Sequence, residues 1–274
     1  LRTRIVPKKA STVKYLNLTN PLPGIHRLNK VHGRPPALPE GIRIYAIGDI
    51  HGRLDLLDRL LHHIELEIRS FPIPRSIFVF LGDYIDRGPA SAQTLERLIE
   101  HGRNRESIFL SGNHEEIAAD SLRDPEIFAH WLRLGGVATL ASYGITVKAN
   151  IRAADIVGLQ QRFNAVLPPA HRDFLQDLKA CFSCGDFFFA HAGIRPGVHL
   201  SRQKGRDLLW IRKEFLSSQK NFGKIVVHAH SPAASVDVRA NRIGIDTGAY
   251  ASGRLTCLAI EGESLAVLDT ATIP

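Results

Sequence analysis

Six short apolar runs, each closed by polar residues at its carboxyl end, constrain this chain more than anything else in its 274 residues. "IRIYAI" (42–47) ends in "GDIHG", "SIFVFL" (76–81) in "GDYIDRG" and "SIFLS" (107–111) in "GNHEE". "FFFA" (187–190) ends in "HAG", "KIVV" (224–227) in "HAHS" and "RIGI" (242–245) in "DTGA". Helical patterns fill the gaps. Leu54, Leu57, Leu61, Ile64 and Ile68 recur at three- and four-residue spacing and give one apolar face. "SAQTLERLIEHG" (91–102) repeats that spacing, with Gly102 as its expected stop. Strand, polar turn and helix in alternation predict an α/β sheet, and in such sheets ligands gather at the carboxyl ends of strands. Two last segments, "RLTCLAIEG" and "SLAVLDT", predict a hairpin around Glu261–Glu263. Residues 116–180 are helical in pattern and are expected to form an insertion over the strand ends, carrying "GGVATLASYG" at 135–144.

Charge separates the ends of the chain from its body. The formal charge of +8 suggests nucleic acid until it is divided. Residues 1–40 hold eight Lys and Arg against Glu40 alone, which leaves 27 bases and 26 acids in residues 41–274. The body is therefore nearly neutral, which argues against a nuclease. Residues 1–40, closed by "RPPALPEG", are expected to be a basic, proline-containing leader or linker, solvated rather than bound to an anionic partner. Three cysteines suit a reducing, cytoplasmic compartment, and Cys181 and Cys184 are expected to flank a tight turn before the run at Phe187. No apolar run approaches the ~20 residues of a membrane span.

The strand ends carry Asp49, His51, Asp83, Asp86, Asn113, His114, His191 and His230. Carboxylates, imidazoles and an amide oxygen converging from five strands predict a divalent-metal site. Mixed oxygen and nitrogen donors suit manganese, iron or zinc better than magnesium or calcium. So many donors exceed the needs of one tetrahedral ion and suit two ions sharing a carboxylate.

"GDIHG", "GDYIDRG", "GNHE", "HAG" and a later histidine are, in order, the motifs of calcineurin-like metallophosphoesterases, and the chain resembles their phosphoprotein phosphatase branch, in its bacterial and phage form, over about residues 42–250. The resemblance implies a four-layer αββα sandwich, two mixed sheets flanked by helices, spanning residues 41–274. It implies two divalent ions, manganese foremost, with Asp49 and His51 on the first, Asp83 bridging both, and Asn113, His191 and His230 completing the second. It further implies His114 as the general acid oriented by Asp86, and phosphate held by Arg87, Asn113 and Arg212, the last from the Trp–X–Arg pattern of "DLLWIRKEF". Glu115 is expected to support its turn. Where the family reads Gly-His-Thr this chain reads Ala229-His230-Ser231, and alanine tolerates positive φ less well. His230 is preferred as the ligand, with His228 as fallback.

The implied reaction is hydrolysis of phosphoserine or phosphothreonine in proteins, by in-line attack of a metal-bridging hydroxide without a phosphoenzyme. The alternative is a symmetrical bis(5'-nucleosyl)-tetraphosphatase acting on diadenosine tetraphosphate or an RNA cap. Those enzymes commonly read Ala-Arg-Gly and Gly-Asn-His-Asp where this chain has Asp86 and Glu115, which favours the protein-phosphatase side. A scaffold that kept the fold and lost the chemistry predicts missing ligands, and none is missing. Substrate identity, native metal and oligomeric state are not written in the sequence.

Overall fold

A computed structural model describes residues 25–148 and 151–272. Among these residues the strands are β1 (Ile42–Ile47), β2 (Arg75–Phe80), β3 (Ser107–Phe109), β4 (Cys181–Cys184), β5 (Phe187–Ala190), β6 (Ile225–His228), β7 (Asp237–Arg239), β8 (Arg242–Gly244), β9 (Thr256–Glu261) and β10 (Ser264–Asp269). They form two mixed five-stranded sheets, ordered β10-β9-β1-β2-β3 and β4-β5-β6-β8-β7. The helices are α1 (Leu54–Ser70), α2 (Ser91–Asn104), α3 (Asn113–Ser121) and α4 (Pro125–Trp131), then, after a π-helical turn at Leu132–Gly136, α5 (Val137–Ser142). Helices α6 (Ala153–Val166), α7 (Pro169–Gln176), α8 (Gly205–Trp210), α9 (Lys213–Leu216) and α10 (Ala249–Ser252) follow.

Alternation along each strand builds the layers. Ile44 and Ala46 of β1 face Phe187, Phe189, Val227 and Ile243 of the second sheet, which makes the inter-sheet core. Tyr45 and Ile47 point the other way, onto Leu57, Leu61 and Ile64 of α1 and the helices of the insertion. On the far side, Phe188, Ala190 and Val226 pack against Leu208 and Phe215 of α8 and α9. Helix, sheet, sheet, helix is thus the layer order, the αββα sandwich.

Topology sets the site. β1, β2 and β3 pair in parallel, as do β5, β6 and β8, so their carboxyl ends emerge along one edge of each sheet. The two edges meet where Gly48 leaves β1: a Cβ there would come within 2.9 Å of the Ile245 carbonyl oxygen.

Four local expectations need correction. Gly102 does not stop α2, which runs on to Asn104; it is glycine because a Cβ would press 2.9 Å from the Phe109 ring. Cys181 and Cys184 flank no turn but are the end residues of β4, paired with Ala190 and Phe187, and both are free thiols. The part of the leader within the described residues is no solvated tail. Val31 and Leu38 are buried in the inter-sheet core, and the Ala37 carbonyl accepts the Asp186 N–H at 3.0 Å. Residues 1–24, where most of the leader's basicity lies, fall outside the described residues. Finally, Ala229 does not carry a positive φ; His230 does, at 63°.

Candidate active site

Backbone strain marks the site before any side chain is considered. Among the described residues six non-glycines have positive φ, and five of them are His51, Asp83, Asp86, Arg87 and His230. Left-handed backbone costs an L-residue roughly 1–2 kcal/mol, so it persists only where the surroundings over-determine it. Glu115 supplies much of that determination. Its buried carboxyl accepts the backbone N–H groups of Asp83 (2.8 Å), Tyr84 (2.8 Å), Ile85 (3.3 Å) and Gly112 (2.9 Å), which ties the turn after β2 to the start of α3. Burial and the neighbouring Asp83 push this carboxyl up to about 8.

Seven buried donor groups converge between the sheet ends. His51 Nδ1 donates to the Ile85 carbonyl at 2.8 Å, which leaves Nε2 free to face Asp83 Oδ2 at 3.5 Å. His191 is fixed the same way: Nδ1 donates to the Leu81 carbonyl at 2.8 Å, and Nε2 lies 3.4 Å from Asp83 Oδ1, 3.0 Å from Asn113 Oδ1 and 3.1 Å from His230 Nδ1. Burial, with Asp83 opposing, pulls His51 down to about 3; burial and then His191 do the same to His230. These imidazoles are neutral near pH 7, so their approach to Asp83 is not an ion pair but a set of lone pairs meeting a carboxylate. Burial alone would raise Asp83, but His191, His114, His51 and His230 outweigh it and hold the carboxyl below its ordinary range.

The donors fall into two groups that share Asp83: His51, Asp83 and His114, and Asp83, His191 and His230, the ligand atoms of each lying within 4.8 Å of one another. Asp49 belongs to neither. It sits on the His191 side, its Oδ1 3.8 Å from His191 Nδ1, and burial with the nearby Asp246 and Asp83 carboxyls pushes it well up. Neutral imidazole nitrogens, an amide oxygen and crowded carboxylates form a donor set fitted to two divalent cations with one bridging carboxylate. Asp246 is the residue that sequence reasoning passed over. It opens "DTGA", two residues past the end of β8, and was legible as a polar group following a strand. Only the crossing of β1 and β8 brings it to Asp49.

One of these donors, His114, also belongs to a hydrogen-bonded pair. His114 Nδ1 donates to Asp86 Oδ2 at 2.6 Å. Asp86 is fully buried and also accepts Trp131 Nε1–H at 2.8 Å and Thr139 Oγ1–H at 2.6 Å. Both donors come from the helical insertion, so "GGVATLASYG" backs the pair. Burial lowers the His114 pKa, but Asp83 and Asp86 outweigh it and the net shift is upward. Trp131 and Thr139 had no signal in the sequence, because nothing there tells which side of the insertion faces inward.

Two arginines complete the arrangement. The Arg87 fork spans His51 Nε2 (3.1 Å) and His114 Nε2 (3.0 Å) and lies 4.8 Å over the Tyr250 ring. Arg212 Nε donates to His230 Nε2 at 3.1 Å. His228 stays outside: its Nδ1 meets the Ala229 carbonyl, its Nε2 accepts from Arg242 at 3.2 Å, and its ring packs on Phe215.

The sequence matches the profile of the calcineurin-like phosphoesterase family over residues 42–253. Among curated proteins it is 25% identical to the asymmetrical bis(5'-nucleosyl)-tetraphosphatase PrpE of Anoxybacillus flavithermus, over 82% of this chain and 93% of that one. It is 27% identical to serine/threonine-protein phosphatase 2 of Escherichia coli, over 78% of this chain and 90% of that one. Among solved structures, the cold-active protein-tyrosine phosphatase of a psychrophilic Shewanella superposes with a TM-score of 0.54 at 14% identity, covering 84% of this chain and 80% of the other. At that identity the likeness concerns the fold alone.

Proposed function

We propose, from the premise that this chain belongs to the calcineurin-like phosphoesterase family and is a metal-dependent hydrolase of phosphoric esters, that it cleaves phosphoserine and phosphothreonine monoesters. The observation that carries this reading is the His114–Asp86 pair at 2.6 Å, held by Trp131 and Thr139. An alkyl leaving group needs a proton as its bond to phosphorus breaks, and a positioned acid supplies it.

Asp83 would be shared by two divalent cations, one also held by His51 and the other by Asn113, His191 and His230, with Asp49, expected on the first, lying on the side of the second. Manganese, iron or zinc suits these donors. When bound, such a pair supplies Lewis acidity and a nucleophilic water near neutral pH. The remaining work belongs to the protein. Arg87 and Arg212, with planar forks, hold the equatorial phosphoryl oxygens. As a water oxygen bonds to phosphorus, the phosphorus–oxygen ester bond breaks and its electron pair goes to the alkoxide; His114 Nε2 delivers the proton that makes it an alcohol, and the proton lost by the water restores His114 through solvent. Asp86 keeps Nδ1 protonated and the ring aimed. Three free cysteines accord with a cytoplasmic setting.

A second reading is cleavage of a bis(5'-nucleosyl) tetraphosphate, favoured by a relative that carries that name. Side-by-side turnover of a phosphothreonine peptide and diadenosine tetraphosphate by manganese-loaded protein separates the two. Higher kcat/KM on the peptide supports the leading reading; higher kcat/KM on the dinucleotide replaces it.

A further inference from the structure

On the outer face of the second sheet a groove of about 790 Å³ opens between β4, β5, the residues leading into β6 and the loop after "HAG". It shares no residue with either donor group. Its walls are apolar: Phe188 of β5, Ile194 and Leu200 of the loop, and Phe222 ahead of β6. Val198 stands in the same lining with 37% of its side chain still in water. Sites for small molecules have volumes of roughly 300–1,000 Å³, apolar walls and a few fixed polar groups. The groove has the size and the walls, so its polar groups decide what it takes.

Those groups carry one sign. Besides the Cys181 thiol, the titratable lining residues are His32, His199 and Lys224, and none is Asp or Glu. Lys220 adds an ammonium at the rim, its Nζ 3.6 Å from where a Cβ on Gly197 would stand. The Lys224 ammonium is held in place: Nζ donates to Ser183 Oγ and to the Gly185 carbonyl, both at 2.7 Å. An ammonium has three N–H donors, so one is left over. Both acceptors are neutral and do not offset the charge. Asp186, whose carbonyl accepts the N–H of Ile225 beside Lys224, turns its carboxylate to Arg34 and the Ala37 N–H instead, each at 2.9 Å. His199 Nδ1 accepts the Ser201 N–H at 3.2 Å, which puts the ring proton on Nε2. His32 reaches the groove from a two-residue turn, with φ 52° at His32 and 80° at Gly33, between the paired Val31 and Arg34.

We propose that this groove binds an amphipathic monocarboxylate, its apolar chain along Phe188, Ile194, Leu200 and Phe222 and its carboxylate on the remaining N–H of Lys224. Charge complementarity selects this occupant. Residues 1–24 carry five Lys and Arg and no acid, so the same lining repels the chain's own leader. One spare donor on a singly charged ammonium matches a singly charged head. The site stands whether or not the chain hydrolyses phosphate esters.

The test is calorimetric titration of the native chain with octanoate, octanol and octyltrimethylammonium, with and without inorganic phosphate. Octanoate is expected to bind one to one, about tenfold more tightly than octanol, which has the chain without the charge. The cation should not bind, and phosphate should leave the octanoate affinity unchanged. Lys224→Met keeps the apolar walls and is expected to bring octanoate down to the affinity of octanol. Val198→Glu, at a position open to water, leaves Lys224 and its partners intact and is expected to weaken octanoate about tenfold by repulsion. No saturable octanoate binding, equal affinity for octanoate and octanol, or an affinity unchanged in both variants overturns the proposal. Displacement by phosphate assigns octanoate to the donor groups and overturns it as well. Sedimentation supplies the last arm: a dimer that octanoate splits gives the groove to a second copy of the chain and refutes the carboxylate as its occupant.

Discussion

His114 has its two ring nitrogens facing different partners, and the acid role proposed for it rests on that division. Nδ1 is bound to Asp86 at 2.6 Å, while Nε2 faces the Arg87 fork and, at 4.0 Å, Asp83 Oδ2. Asparagine can keep a hydrogen bond to Asp86 but cannot pass a proton. His114→Asn is therefore expected to keep its metal content and lose about 10²- to 10⁴-fold in kcat, most for substrates with poor leaving groups. Steady-state rates on alkyl and aryl phosphates check this, and equal losses on both would remove the acid role. His114 and Asp86 were legible as polar groups at strand ends, and their roles came from the resemblance of their motifs to the phosphoprotein phosphatase branch. The sequence left Asp246, Trp131, Thr139 and Tyr250 unreadable as site residues. Each reaches the site through a crossing of sheets or the inward face of a helix, and neither is encoded in local spacing.

Between α4 and α5 the π-helical turn connects the insertion to Arg87. Gly135 takes φ 125°, its carbonyl accepts Arg87 N–H at 3.3 Å, and a Cβ there would come 3.0 Å from Arg87 Cγ. Gly135→Ala should cost about 1–3 kcal/mol of stability and lower kcat/KM, because the added Cβ presses on Arg87 and, at 3.3 Å, on Asp86 Cβ as well. Urea melts and Michaelis plots test the two halves separately. Helix α2 supplies a pH-dependent element that belongs to neither donor group. His101 is buried against Phe78 and Phe80, its Nε2 has no hydrogen-bond partner, and burial followed by Arg97 and Arg105 pulls it from 6.5 to about 4. The unfolded chain takes up a proton near pH 6.5 that the fold refuses until about pH 4. Stability from this group is thus present above pH 6.5 and is lost, by up to about 3 kcal/mol, as pH falls through that window. His101→Phe should flatten the stability profile between those pH values, and an unchanged slope would exclude His101 as its source. Helix positions were readable from the three- and four-residue spacing of Leu57, Leu61 and Ile64. The end of α2 was misread at Gly102 because only the packed Phe109 ring explains that glycine.

At the scale of the whole molecule the alternation of strands and helices predicted an α/β sheet, and the two-sheet αββα order came from the family resemblance. What the sequence could not carry was the seating of Val31 and Leu38 between the sheets, because a proline-rich stretch reads as a linker until the groove that receives it exists. The two sheets bring Asp49, Asp83 and Asp246 together, and mutual repulsion among buried carboxyls opposes folding unless a cation offsets it. Chelation is therefore expected to lower Tm by several degrees, and added manganese to restore it. The most direct measurement is elemental analysis of the native chain and of Asp83→Asn, paired with turnover on a phosphothreonine peptide as manganese is titrated into chelator-treated protein. A two-cation centre bridged by Asp83 predicts two equivalents bound as activity returns, with occupancy and activity both lost in the variant. Full turnover with less than one equivalent bound, or two equivalents retained by Asp83→Asn, would contradict it.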